Sequence, residues 1–183
     1  MTGRDPAPSS TVELCAFRVG DEEYVIDLRR IREIVQPLPV TPVPRAPECV
    51  DGVVDLRGEV VPLVDVRRRL GLPPRSSGAR PKVLIVNLAG RALALLVDGV
   101  SEVVRIPRSA IGPPPALLAS GGQRLFLGVC AGRPERSPAS SARRGPESAA
   151  PPAAGRLRLL LDVKALLRPA TPAGLGPGVP GLP

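Results

Sequence analysis

Short aliphatic runs broken by two-residue turns constrain this chain more than any other feature. Lys82-Val83-Leu84-Ile85-Val86-Asn87-Leu88 and Arg91-Ala92-Leu93-Ala94-Leu95-Leu96-Val97 flank the pair Ala89-Gly90, and Val53–Leu56 and Val60–Val64 flank Arg57-Gly58. Runs of this length and composition, closed by a glycine-bearing pair, read as antiparallel hairpins. Leu14–Val19 and Glu23–Ile26 make a third around Gly20-Asp21. Val100–Ile106, Gln123–Cys130 and Leu157–Leu161 are further strands. About nine short strands against three short helices place the chain in the mainly-β class, with barrel architecture expected.

The helices are predicted from a pattern that occurs three times. Val25-Ile26-Asp27-Leu28-Arg29, Leu63-Val64-Asp65-Val66-Arg67 and Leu160-Leu161-Asp162-Val163-Lys164 each read as strand, aspartate, apolar, basic. After Asp27, the apolar positions Leu28, Ile31, Ile34 and Val35 share one helical face and predict a helix over 28–35. Val66–Leu70, stopped by Gly71, and a last turn carrying Val163, Leu166 and Leu167 complete the set. Catalysis or metal binding by the aspartates competes with a plainer role, helix N-capping, worth about 1 kcal/mol each. Each aspartate falls where a strand ends and a helical period begins, which favours the caps.

Proline and glycine are abundant, at 25 and 19 residues, but they are not spread evenly. They gather in residues 1–12, 132–155 and 169–183, segments with too few large apolar side chains to order themselves and expected to be disordered. An ordered domain over 13–168 remains, interrupted by the 132–155 insert. Pro37, Pro39, Pro42, Pro44 and Pro47 force an extended path and remove backbone donors, so that stretch reads as an edge-like strand or bent connector.

The residue inventory excludes much chemistry. No histidine is present, which rules out Ser-His-Asp and Cys-His catalysis, histidine metal sites and histidine pH switches. Cys15, Cys49 and Cys130 are far apart and odd in number, so free buried thiols are expected rather than a zinc site or a disulfide framework. No apolar run follows Met1 and none approaches the ~18 residues of a membrane span, so neither a signal peptide nor membrane insertion is expected, and a reducing cytoplasm fits. The net charge is +8, carried almost wholly by arginine. A basic β-barrel that binds nucleic acid is therefore an alternative reading. The arginines are scattered, however, and Phe17, Tyr24 and Phe126 are the only aromatics, so stacking platforms are lacking.

Taken in order, several motifs resemble the CheW family of bacterial chemotaxis adaptors. They are Gly20-Asp21-Glu22-Glu23-Tyr24 with Ile26-Asp27, Ile31-Arg32-Glu33-Ile34, and Gly52-Val53 through Leu56-Arg57-Gly58 to Val61-Pro62 and Asp65. Val97-Asp98-Gly99-Val100-Ser101-Glu102-Val103, Leu127-Gly128-Val129 and Leu161-Asp162 continue the match. The resemblance implies a CheW-like fold of two SH3-like five-stranded β-barrel subdomains with short helices. It implies a non-catalytic scaffold, with no cofactor, coupling the cytoplasmic tips of chemoreceptors to a CheA-type histidine kinase. By position, Arg57, Ile31, Glu33 and Val103 correspond to residues on the receptor side of a groove between subdomains. Two departures stand out. Asp55 replaces the family's usual asparagine and brings a carboxylate near Arg57, and the 132–155 insert replaces a tight hairpin. For Glu33, a surface salt bridge to Arg29 or Arg30 is the competing role, worth a few tenths of a kcal/mol at most.

Overall fold

The hairpins legible in the sequence frame two five-stranded sheets. In the computed structural model, which describes residues 10–47, 49–76, 78–115, 125–131 and 157–168, the chain starts with β1 (Thr11–Val19) and β2 (Glu22–Asp27), joined at Gly20. A 3-10 turn, Leu28–Arg30, leads into β3 (Ile31–Val35). β4 (Gly52–Leu56) and β5 (Glu59–Asp65) flank Arg57-Gly58, and α1 (Val66–Arg69) follows. β6 (Lys82–Leu88), β7 (Arg91–Val97), β8 (Gly99–Pro107), a 3-10 turn at Arg108–Ala110, β9 (Phe126–Ala131), β10 (Leu157–Leu161) and α2 (Val163–Leu166) complete the described elements.

Two expectations are corrected. The helix over 28–35 is a single 3-10 turn followed by a strand. Glu33 and Val35 are half-buried around exposed Ile34, the period of a strand, and a bulge at Arg32 turns half-buried Ile31 to the other face, against the inter-sheet cluster. β6 offers an edge that needs pairing, and Glu33 and Val35 lie opposite its Ile85 and Val83. Order also begins earlier than expected. Thr11 and Val12, inside the segment 1–12, pair with Pro107 and Ile106 of β8. Residues 1–9, the insert 132–155 and the tail 169–183 lie outside the described residues.

The first sheet runs β8-β1-β2-β10-β9 and the second β3-β6-β7-β5-β4. Raising each strand number by five, and counting on from ten to one, converts the first order into the second. Pairing directions agree as well: β2–β10 and β5–β7 are parallel and the other neighbours antiparallel. The chain therefore traces one path twice, and each half lends strands to both sheets. β3 leaves the first half to pair with β6, and β8 leaves the second half to pair with β1.

Single bridges join the two edges of each sheet. The proline-rich connector after β3 touches β4 at Thr41–Val53, and the segment after β8 touches β9 at Gly112–Val129. Both contacts need glycine beside them. A Cβ on Gly52 would lie 2.6 Å from the Thr41 carbonyl oxygen, and one on Gly128 would lie 2.6 Å from the Gly112 carbonyl oxygen.

With almost no aromatic side chains, the core is aliphatic. Its largest cluster lies between the sheets and unites Cys15, Phe17, Ile26, Leu84, Leu93, Leu95, Leu161 and Leu166. The chain's three aromatic rings line up there, Phe17 on Tyr24 and Tyr24 on Phe126, each pair with centroids 6.0 Å apart. Smaller clusters fill each sheet's other face, around Leu14, Ala16, Val25 and Cys130 in the first and Val54, Val61, Val83 and Ile85 in the second.

Each recurrent aspartate caps a turn. Asp27 accepts from the Arg29 amide at 3.0 Å, Asp65 from the Arg67 amide at 2.9 Å and Asp162 from the Lys164 amide at 2.9 Å. Asp65 also joins a largely buried network at the junction of the sheets. Arg75 bonds Asp65 and faces Asp98 at 2.7 Å, and Asp98 in turn takes Arg67 at 2.5 Å and the Gly20 amide at 2.6 Å.

Candidate functional site: two strand edges and an ion pair

The Arg57-Gly58 turn owes its shape to Asp55. Its Oδ1 accepts from the Gly58 amide at 2.6 Å, and Arg57 occupies the left-handed region at φ 54. The Arg57 side chain is 77% exposed. Asp55 is thus engaged with turn backbone, and a different carboxylate meets the guanidinium. Arg57 donates from Nη2 to Glu33 Oε2 at 2.8 Å and from Nη1 to Glu33 Oε1 at 3.3 Å. Glu33 therefore pairs with Arg57, rather than with Arg29 or Arg30. Arg32 and Glu59 make a second pair at 3.2 Å beside it. The two ion pairs hold β3 against the β4–β5 hairpin on the second sheet.

Ile31 opens β3, half-buried against the inter-sheet cluster. Val103 stands on β8, the edge of the first sheet, opposite Cys15 of the same cluster, and is 51% exposed. Of the four residues expected to act together, Arg57 and Glu33 are in contact. Ile31 and Val103 lie on the edge strands of different sheets, both directed toward the inter-sheet side. The sequence reading missed Ile34 and Val60, which are 45% and 69% exposed. Reading β3 as a strand would have revealed Ile34, since alternation turns it outward between half-buried neighbours.

Two further features carry charge. Arg158 on β10 is buried, bonding Glu23 through Nε at 2.8 Å and Glu102 through Nη2 at 2.8 Å. A cleft of about 510 Å³ opens on the first sheet, walled by Val12, Leu14 and Leu160 and rimmed by Arg29, Arg30 and Arg108. Among the described residues, eight arginines pair with carboxylates on both sheets. These arginines are neutralised by neighbouring carboxylates rather than left as open cations.

What this geometry offers is surface: aliphatic side chains left open along two strand edges, and a fixed ion pair at one end. Such equipment suits contact with another protein. The CheW-like domain family model matches residues 13–170, and the chain belongs to that family. It is 38% identical over 119 residues to a chemotaxis protein CheW of Rhizobium meliloti, covering 65% of this chain and 77% of the relative. It is 35% identical over 118 residues to a chemotaxis protein CheW of Helicobacter pylori, covering 64% and 71%. Protein FrzA of Myxococcus xanthus is 32% identical over 117 residues, covering 64% and 72%. The fold matches the crystal structure of the scaffolding protein TtCheW from Thermoanaerobacter tengcongensis with a TM-score of 0.67 at 21% identity, covering 91% of this chain and 99% of that one. The two five-stranded subdomains expected from the sequence are those of this family. The comparisons give the nucleic-acid reading no support.

Proposed function

We propose that this chain is a non-catalytic adaptor that couples chemoreceptors to a CheA-type histidine kinase in chemotaxis-like signalling. The reading rests on membership of the CheW-like family. The observation that carries it to particular residues is the exposed Arg57, fixed by a two-pronged bond to Glu33 beside open aliphatic edges. Apolar contact at Val103 and Ile31 supplies affinity for a receptor's cytoplasmic tip, and the Arg57–Glu33 pair sets register on it. The adaptor works in the cytoplasm, where receptor tips and kinase lie. Among the described residues no helix is long and apolar enough to cross a membrane.

Co-purification tests the proposal. Tagged chain is mixed with a receptor cytoplasmic-tip fragment and a CheA-type kinase core. The parent is expected to retain both. Arg57→Glu is expected to lose the receptor fragment while keeping its circular-dichroism spectrum. Equal recovery of the receptor fragment by parent and variant would remove Arg57 from the interface, and failure of the parent to retain either partner would overturn the adaptor reading itself.

A further inference from the structure

Val103 shares its side of the sheet with Cys15 of the inter-sheet cluster only because β8 holds a particular phase, and that phase is set next to an irregularity. On β1, Ala16 pairs with Glu102 while the next residue, Phe17, pairs with Val100, so Ser101 is an extra residue in β8. A β-bulge of this kind re-aims the side chains around it. Among the described residues β8 is an edge strand with one ladder neighbour, so the bulge is not fixed by backbone pairing on its other side. A shift of one residue would turn Val103 toward the face lined by Ala16 and bring a neighbour to the inter-sheet side in its place.

The buried charge cluster holds both residues at the bulge. Glu102 is bonded by Arg158 at 2.8 Å, and Arg158 also holds Glu23 of β2 at 2.7 Å. Ser101, the extra residue, adds to the electrostatic stabilisation of the Glu23 carboxylate. Arg158 thus reaches from β10 past β2 and β1 to the edge strand, with its side chain only 5% exposed. A planar guanidinium with donors in a fixed fork suits this task, since it joins two carboxylates from two strands in one rigid geometry. We infer that Arg158, through Glu23 and Glu102, is a positioning residue that fixes the phase of β8 and thereby selects the side chain presented to the receptor. The inference rests on the groove reading of Val103 given above.

Two measurements on the full chain separate the inference from that reading. One is amide hydrogen exchange over residues 99–107, which involves no partner. The other is binding to a receptor cytoplasmic-tip fragment. Arg158→Leu and Glu102→Gln are each expected to speed exchange over 99–107 by at least about tenfold while β6 and β7 stay protected. Both are expected to weaken tip binding by about tenfold. Arg158→Lys, which keeps the charge but loses the fork, is expected to fall between Arg158→Leu and the parent. Should Arg158→Leu fail to fold, Glu102→Gln carries the test, because Glu102 is partly exposed and its replacement preserves shape.

Unchanged exchange over 99–107 in Glu102→Gln would overturn the positioning role. Faster exchange with parent-like binding would overturn the link to recognition. An Arg57→Glu arm tells which reading has failed: it is expected to lose binding with β8 exchange unaltered, and its binding normally would count against the groove rather than against Arg158.

Discussion

Arg57 and Glu33 meet across the seam between the β4–β5 hairpin and β3, with Nη2 and Oε2 2.8 Å apart. Glu33 is thus the carboxylate that restrains the guanidinium, while the Arg57 side chain remains 77% exposed. A pair so open to solvent adds little to stability, about 0.2–1 kcal/mol before screening by salt. Its stronger effect is to hold a cation and an anion in one orientation on the surface beside β3.

A charge swap separates the two effects. The double variant Glu33→Arg with Arg57→Glu rebuilds the ion pair in reverse and is expected to melt within about 2 °C of the parent, as a small surface term implies. Receptor-tip binding is expected to be lost, because the pattern of charge offered to the partner is inverted. Retained binding in a pull-down would make the pair purely structural.

Gly52 and Gly128 occupy matching places in the two halves of the chain, each against a carbonyl oxygen that a Cβ would approach to 2.6 Å. Gly52→Ala and Gly128→Ala are each expected to cost about 1–3 kcal/mol through overpacking. Urea denaturation measures this directly. A midpoint equal to the parent's for either variant would show that the bridge beside it is not rigid.

Stability should also fall in acid through two identifiable groups. Burial opposes ionisation of Glu23, but hydrogen bonds from Ser101 and Arg158 outweigh it and hold this carboxyl below its ordinary range. Asp27 is lowered chiefly by its side-chain hydrogen bond with Arg29. Carboxyls depressed in the folded state contribute fully above the unfolded values near pH ~4, and that contribution disappears as pH falls through the folded values. Melting temperature is expected to hold from neutral pH to about pH 5 and to drop below pH 4. Glu23→Gln should give a shallower acid slope, and an unchanged slope would refute the assignment.

The thiols give a fourth check. Burial pushes Cys15 and Cys130 above the ordinary thiol range, with Arg158 pulling the other way on Cys130. Both are free and buried, so iodoacetamide at mildly alkaline pH should reach them only when the sheets open. Mass spectrometry of timed samples is expected to show both modified at one shared, slow rate that rises with urea. Rapid labelling of either in native buffer would mean that its sheet breathes locally.

The sequence displayed local structure well and exchanged structure poorly. β6–β7 and β4–β5 were legible because each pairs with its neighbour across a two-residue turn. β3 was misread because Leu28, Ile31, Ile34 and Val35 satisfy a helical period, and only the distant edge of β6 decides for a strand. Nothing in residues 28–35 announces that the chain is crossing to the other sheet. The site was half visible: Arg57 and Glu33 were each named, but their contact joins strands far apart in sequence. Arg158 escaped notice altogether. An arginine within a leucine run suggests a solvated face, and its burial follows only from Glu23 and Glu102 arriving on other strands.

The placement of β10 has a consequence for biosynthesis. This strand fills the gap between β2 and β9, so the sheet begun by Thr11–Asp27 stays unfinished until Leu157–Leu161 has left the ribosome. Until then the early hairpin has an apolar face and a bare strand edge on display, inviting pairing with other nascent chains. For such a protein, the pace of translation between residues 27 and 157 is an interval of risk, and holdase chaperones would have their greatest effect there.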